Sequence, residues 1–134
     1  MSDCIFCKII AGEIPCHKVY EDENVLAFLD AFPHAKGHTV VVPKKHVSSI
    51  FDFDPDDRTN FSAGLSAAAR RVNEAIKPDG MNIGVNDRPS AGQVVPHVHW
   101  HIFPRFENDG GGSVHSIVKT KEKIDVSEVA KLFV

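Results

Sequence analysis

The chain has no apolar run near the roughly 20 residues that cross a bilayer, which excludes a membrane-spanning helix. It has no excess of positive charge: 15 Lys and Arg stand against 18 Asp and Glu, a net charge of -3 with histidine neutral. Gripping nucleic acid through a broad basic surface requires the opposite balance, because phosphate charge has to be neutralised. No stable nucleic-acid partner is therefore expected. Cysteine is scarce and odd in number, with three in all, which argues against a secreted disulfide framework. Two of the three stand as Cys4-x-x-Cys7, a spacing suited to metal or redox chemistry in a reducing compartment. Met1 to Lys8 carries no apolar signal-peptide core, so the expectation is a cytoplasmic protein without a membrane. Tyrosine and tryptophan occur once each against nine phenylalanines, so aromatics serve mainly in packing. No internal repeat or low-complexity segment is present.

At 134 residues the chain suits one domain, and a fold of this size buries roughly two-thirds of the surface its unfolded chain exposes. Cys4 to Ile10 reads as one or two helical turns stopped at Gly12. His17–Glu21 and Val25–Phe32 read as strands, and Thr39–Val42 is a β-branched strand closed by Pro43. Asp30 then falls near the end of one strand and His38 near the start of its neighbour. The one long helix starts at Asp54-Pro55, an N-cap followed by a tolerated first-turn proline. Phe61, Leu65, Ala68, Val72 and Ile76 make its apolar stripe, and Pro78-Asp79-Gly80 ends it. Met81–Val85 reads as a strand, Arg88–Gln93 as a small-residue loop, and His97–Phe103 as a strand stopped by Pro104. After Arg105 a flexible NDGGGS stretch leads to a short helix from about Ser127, with Val126, Val129, Leu132 and Phe133 as an apolar edge.

Eight histidines is a high count, and His97-Val98-His99-Trp100-His101 concentrates three of them. On a strand the side chains alternate, so Val98, Trp100 and Ile102 face the core while the three imidazoles share the opposite face. Same-face neighbours are about 7 Å apart and the outer two roughly 13 Å, too far to meet on one ion. A central nucleophile or acid–base group with flanking helpers fits that spacing better. The alternative is a solvated polar face that happens to use histidine.

With CIFCKI, the AFLD strand, GHTVVVPKKH, the IGVND strand and GQVVPHVHWHIFPR in this order, the chain resembles the histidine triad (HIT) family of nucleotide hydrolases and transferases from Cys4 to Arg105. The resemblance implies an α+β HIT-like fold: an antiparallel sheet of about five strands, one long helix, and a homodimer across which the sheet continues. It also implies one HIT domain over 1–134, with the core at 1–105 and a variable tail at 106–134.

By that resemblance His99 attacks the α-phosphorus of a purine nucleotide and forms a covalent nucleotidyl-histidine that water opens. Neutral imidazole is a competent nucleophile near neutral pH, and its other nitrogen needs an acceptor to fix the tautomer. His101 would donate to the α-phosphate, His38 would complete the cluster, and Gln93 would orient leaving-group or phosphate oxygens. Asn86 would lie near the phosphate, although it could equally be a turn residue. Asp30 would bind the ribose hydroxyls, since two accepting oxygens suit a vicinal diol. Phe6, Ile9, Phe28 and Val40 match positions lining the purine pocket, and each could equally be core. No catalytic metal is required.

The resemblance further assembles Cys4, Cys7, His46 and His97 as a structural zinc set, four ligands suited to a tetrahedral ion. A redox Cys-x-x-Cys and simple packing of both thiols are the alternatives. Two positions depart from the phosphoramidate-hydrolysing branch: Val94 replaces its hydroxyl residue, and Pro96 precedes the triad where an aromatic is common. Dinucleoside polyphosphates and other adenylylated compounds thus stand beside nucleoside phosphoramidates as substrates. The rival function is a non-catalytic purine-nucleotide sensor or scaffold, against which the full set of four histidines argues, since binding alone needs no nucleophile.

Overall fold

The computed structural model describes residues 3–133. In chain order it contains α1 (Ile5–Ile10), β1 (Lys18–Glu21), β2 (Val25–Leu29), β3 (Thr39–Pro43), α2 (Pro55–Ile76), β4 (Gly80–Val85), β5 (Trp100–Arg105) and α3 (Val126–Ala130), with single 3-10 turns at Ile50–Asp52, Pro89–Ala91 and Val114–Ser116. The strands form one antiparallel sheet in the order β1-β2-β3-β5-β4. The expected α+β class, five strands and one long helix are all present.

Period-two alternation divides the sheet into two chemically different faces. Val25, Ala27, Val41, Val98 and Ile102 meet Phe61, Ala68 and Val72 of α2 in the main core. Asp54 caps α2 by accepting from the Asp57 N–H, while the Asp57 carboxylate accepts from the Asp54 N–H. Gly64 lets the helix approach: a Cβ there would lie 2.5 Å from Val25 Cγ2. On the opposite face Leu26, Phe28, Val40 and Val42 lie beneath Phe6, Ile9 and Ile10 of α1, with Cys16 beside them. Six residues are too few for a self-sufficient helix, so α1 depends on this packing and on its Cys4 cap, whose Sγ accepts the Cys7 N–H.

Three boundaries differ from the sequence reading by more than one residue. β2 ends at Leu29 and does not run to Phe32, because Asp30 Oδ1 accepts the Phe32 N–H at 2.8 Å and turns the chain. β5 begins at Trp100, so His97 and His99 precede the strand. There the Val98 N–H donates to the Val47 carbonyl at 2.7 Å, away from the ladder. Pro104 does not stop β5 either. The Arg105 carbonyl accepts from Asp79 on the β4 side, so alternation turns Pro104 toward β3, whose pairing with β5 ends at Thr39 and Ile102.

The expected face assignment nevertheless holds: Val98 and Ile102 are core residues with Trp100 packed on them. Arg105 anchors the start of the tail through Asp109, Asn82 and the Gly112 carbonyl. Beyond it Val126, Val129, Leu132 and Phe133 are all exposed, so their apolar edge has no cover among the described residues. No described helix is long and apolar enough to cross a membrane.

Candidate active site and metal centre

His97, His99 and His38 are buried and His101 is half-buried; the row of histidines is not a solvated face. Burial makes every ring nitrogen's partner consequential, and the partners fix the tautomers, since a backbone N–H only donates and a carbonyl only accepts. His99 Nδ1 lies 2.8 Å from the His97 carbonyl, so it carries the proton and Nε2 keeps its lone pair. The acceptor anticipated for the nucleophile is therefore the main chain of the first triad residue. Phe6 stacks obliquely near the His99 ring at 4.9 Å between centroids.

The neighbouring histidines form a directed chain. The His34 N–H donates to His38 Nδ1 at 3.2 Å, so His38 is protonated on Nε2. That N–H donates to His101 Nδ1 at 2.9 Å, which leaves the His101 proton on Nε2. Burial, reinforced by His99 and His38, pushes the His101 pKa down to about 4. Burial also lowers His38, partly opposed by the Asp30 carboxylate, whose Oδ2 is 3.6 Å from His38 Nε2. His101 thus offers a neutral N–H donor, suited to stabilising charge that grows on a phosphoryl oxygen.

Cys4, Cys7, His46 and His97 converge, their ligand atoms all within 4.8 Å of one another. Cys4 Sγ is 3.4 Å and Cys7 Sγ 3.7 Å from His97 Nδ1, and Cys7 Sγ is 3.2 Å from His46 Nδ1. His97 Nε2 donates to the Pro43 carbonyl at 2.9 Å, which turns an unprotonated Nδ1 toward the thiols, as metal ligation requires. Burial, with Cys4 beside it, raises the Cys7 pKa, and a cation among these donors would reverse that preference. Asp30, His38 and His101 are a second group equally compact, but His38 Nδ1 already accepts a hydrogen bond. Its Nε2 must keep its proton and cannot serve as a neutral ligand. The donor chemistry therefore favours the cysteine-containing set alone.

Asp30 and Asn86 line an open groove of about 730 Å³ together with His38 and His101. Phe28 and Val40 are buried under α1, whose Phe6 and Ile9 are only partly buried. Gln93 is committed to the main chain: Nε2 donates to the Ser48 and Val95 carbonyls, and Oε1 accepts the Arg88 N–H at 2.6 Å. Val94 is 89% exposed.

Sequence reasoning missed Asp87. Its carboxylate accepts from the Ile50 N–H at 2.8 Å and the Ser49 hydroxyl at 2.9 Å. With the Gln93 amide it ties the segment after His46 to the segment before His97. It also missed His34, whose contribution is a backbone N–H, and Pro43, whose contribution is a carbonyl; neither has a side-chain signature.

The HIT domain family model matches residues 11–108, leaving Cys4 and Cys7 outside the matched stretch. An uncharacterized HIT-like protein of Methanocaldococcus jannaschii is 49% identical over 130 residues, 96% of each chain. An adenosine 5'-monophosphoramidase of Schizosaccharomyces pombe is 39% identical over 81% of this chain and 78% of its own length. An adenylylsulfatase of Arabidopsis thaliana is 36% identical over 92% of this chain and 63% of its own. Among solved structures, SMU.412c from Streptococcus mutans superposes with a TM-score of 0.86 at 43% identity, covering 99% of this chain and 82% of that one. A Zn-bound histidine triad family protein from Mycobacterium smegmatis gives 0.75 at 35% identity, covering 98% and 90%. With the ordered motifs, the sheet and the buried histidines all in agreement, the chain belongs to the HIT family.

Proposed function

We propose that the protein is a nucleotide hydrolase or transferase that acts at the α-phosphate of purine nucleotide derivatives through an intermediate on His99. The carrying observation is the His99 tautomer: Nδ1–H is held by the His97 carbonyl, so Nε2 is free to attack without a separate base. In the first step Nε2 bonds to the α-phosphorus and the bond to the leaving group breaks. Positive charge on the imidazolium is stabilised by the His97 carbonyl, and His101 Nε2–H donates to a phosphoryl oxygen. Water then attacks phosphorus, the P–N bond breaks, and a nucleoside monophosphate departs with His99 restored. Asp30 would hold the ribose diol and Asn86 would approach the phosphate from the shared groove. Phe6 and Ile9, with the edges of Phe28 and Val40, would receive the purine. The relatives named as a phosphoramidase and an adenylylsulfatase support chemistry of this class.

Zinc on Cys4, Cys7, His46 and His97 would cross-link α1 to the segment that carries the nucleophile, a structural role. The Zn-bound relative and the tautomer of His97 support it. A homodimer formed by pairing along β4, an edge strand of the sheet, is proposed on the same footing, and sedimentation velocity tests it.

The test of function is AMP release from adenosine phosphoramidate and from diadenosine polyphosphates, with His99→Ala alongside. Release that disappears in the variant supports the mechanism. No turnover of either compound, with AMP still bound tightly, would replace it with the sensor reading.

A further inference from the structure

The loop between β4 and the triad contains a backbone conformation that its residue should not adopt. Arg88 sits at φ 73°, ψ 157°, in the region open essentially to glycine, and such placements cost energy that the surroundings must supply. Three contacts supply it. The Arg88 N–H donates to Gln93 Oε1 at 2.6 Å. Nε lies 3.2 Å from Asp87 Oδ2. The guanidinium stands over the Phe51 ring, 5.1 Å from its centroid. Were the purpose only to turn the chain, glycine would do so without strain. The arginine side chain is therefore what the position retains at a cost.

That side chain is poised to receive an anion. It is 69% exposed, and neither Nη nitrogen has a hydrogen-bond partner among the described residues, which leaves a planar two-pronged donor free. Asp87 meets only Nε, and its carboxylate oxygens also accept from Ile50 and Ser49, so the two Nη groups stay open to a further anion. The Phe51 ring beneath it is itself 71% exposed. Several other basic side chains are engaged: Arg105 by Asp109, Lys44 by Glu21, Lys45 by Asp57, and Arg71 by the Val19 carbonyl. The Arg88 loop starts beside Asn86, which lines the groove with His101, and closes on Gln93. Val94, the next residue, has no hydroxyl with which to protonate a departing amine.

Resting on the hydrolase reading above, we infer that Arg88, braced by Phe51 and Asp87, is a specificity-determining residue that binds anionic leaving groups. The phosphate chain of a nucleotide anhydride is the type such a fork would hold, in preference to a neutral amine.

The experiment compares kcat/KM for diadenosine tetraphosphate and for adenosine phosphoramidate in the wild type, Arg88→Gly and Arg88→Lys. It is paired with calorimetric titration of inorganic tripolyphosphate into the AMP-bound proteins and with thermal melting. In Arg88→Gly the anhydride-to-phosphoramidate ratio should fall at least tenfold and tripolyphosphate affinity should fall likewise, while Tm stays level or rises as strain is released. Arg88→Lys should lie between, since lysine keeps the charge and loses the fork. An unchanged ratio with unchanged tripolyphosphate binding overturns the inference, as does a parallel loss on both substrates with a lowered Tm, which would mark a merely structural arginine. If the wild type turns over neither compound the hydrolase reading fails, and the tripolyphosphate titration still decides whether Arg88 binds anions.

Discussion

Acid should destabilise this fold through His101 in particular. Its pKa is 6.5 as an ordinary imidazole and about 4 in the folded protein. The depression arises first from burial and then from His99 and His38. Between those two values the unfolded chain binds the proton and the folded one does not, so stability is complete above about pH 6.5 and is lost as pH falls toward 4. The difference corresponds to about 3 kcal/mol, a sizeable part of the roughly 5–15 kcal/mol that holds a domain together. Carboxylates, His38, His97 and loss of any bound metal add to acid lability, so the test must isolate one ring. His101→Gln retains an acceptor for the His38 Nε2–H and cannot titrate. Urea unfolding of both proteins across this pH range should show the wild type losing about 3 kcal/mol more than the variant. Parallel stability curves would refute the claim that His101 is held neutral by its surroundings.

Other perturbations test other parts of the structure. Stripping metal with a strong chelator, or replacing Cys7 by Ser, should raise hydrogen exchange at Ile5–Ile10 and raise KM more than it lowers kcat, because α1 carries Phe6 against His99. Unchanged exchange would remove zinc from the account of α1. Gly64→Ala should lower stability by up to about 2 kcal/mol, overpacking against Val25 outweighing the better helix propensity of alanine; a gain in Tm would show that the helix can shift. Asp87→Ala leaves the Ile50 N–H and the Ser49 hydroxyl without their acceptor and should cost about 1–3 kcal/mol, read by urea denaturation.

Much of the architecture was legible because its signals are local. The Asp54-Pro55 cap, the stripe of Phe61, Ala68 and Val72, and the alternation of Val98, Trp100 and Ile102 each depend on neighbours in sequence. The boundaries that moved depend on distant partners. His97 and His99 leave the ladder because Val98 bonds to Val47, and Pro104 stays in β5 because β3 has already ended. The histidines themselves stood out, as did the Cys-x-x-Cys with His46 and His97, whose ligand atoms converge as expected. What decides their chemistry did not: the carbonyls of His97 and Pro43 and the N–H of His34 set the tautomers, and main-chain groups look alike at every position. For Gln93 the resemblance implies a leaving-group or phosphate contact, and the bonds of its amide to Ser48, Val95 and Arg88, which brace the loop, have no sequence signature.

If His99 is the nucleophile, it carries the transferred group during turnover, and that intermediate can be trapped. The protein would be mixed with diadenosine tetraphosphate, quenched at short times under conditions that preserve phosphoramidate bonds, digested, and analysed by mass spectrometry. An adenylyl group is expected on the peptide that contains His99, located on that residue by fragmentation and absent in His99→Ala. Turnover that persists in His99→Ala, or an adduct located on His101 or His38, would contradict the assignment of His99 as nucleophile.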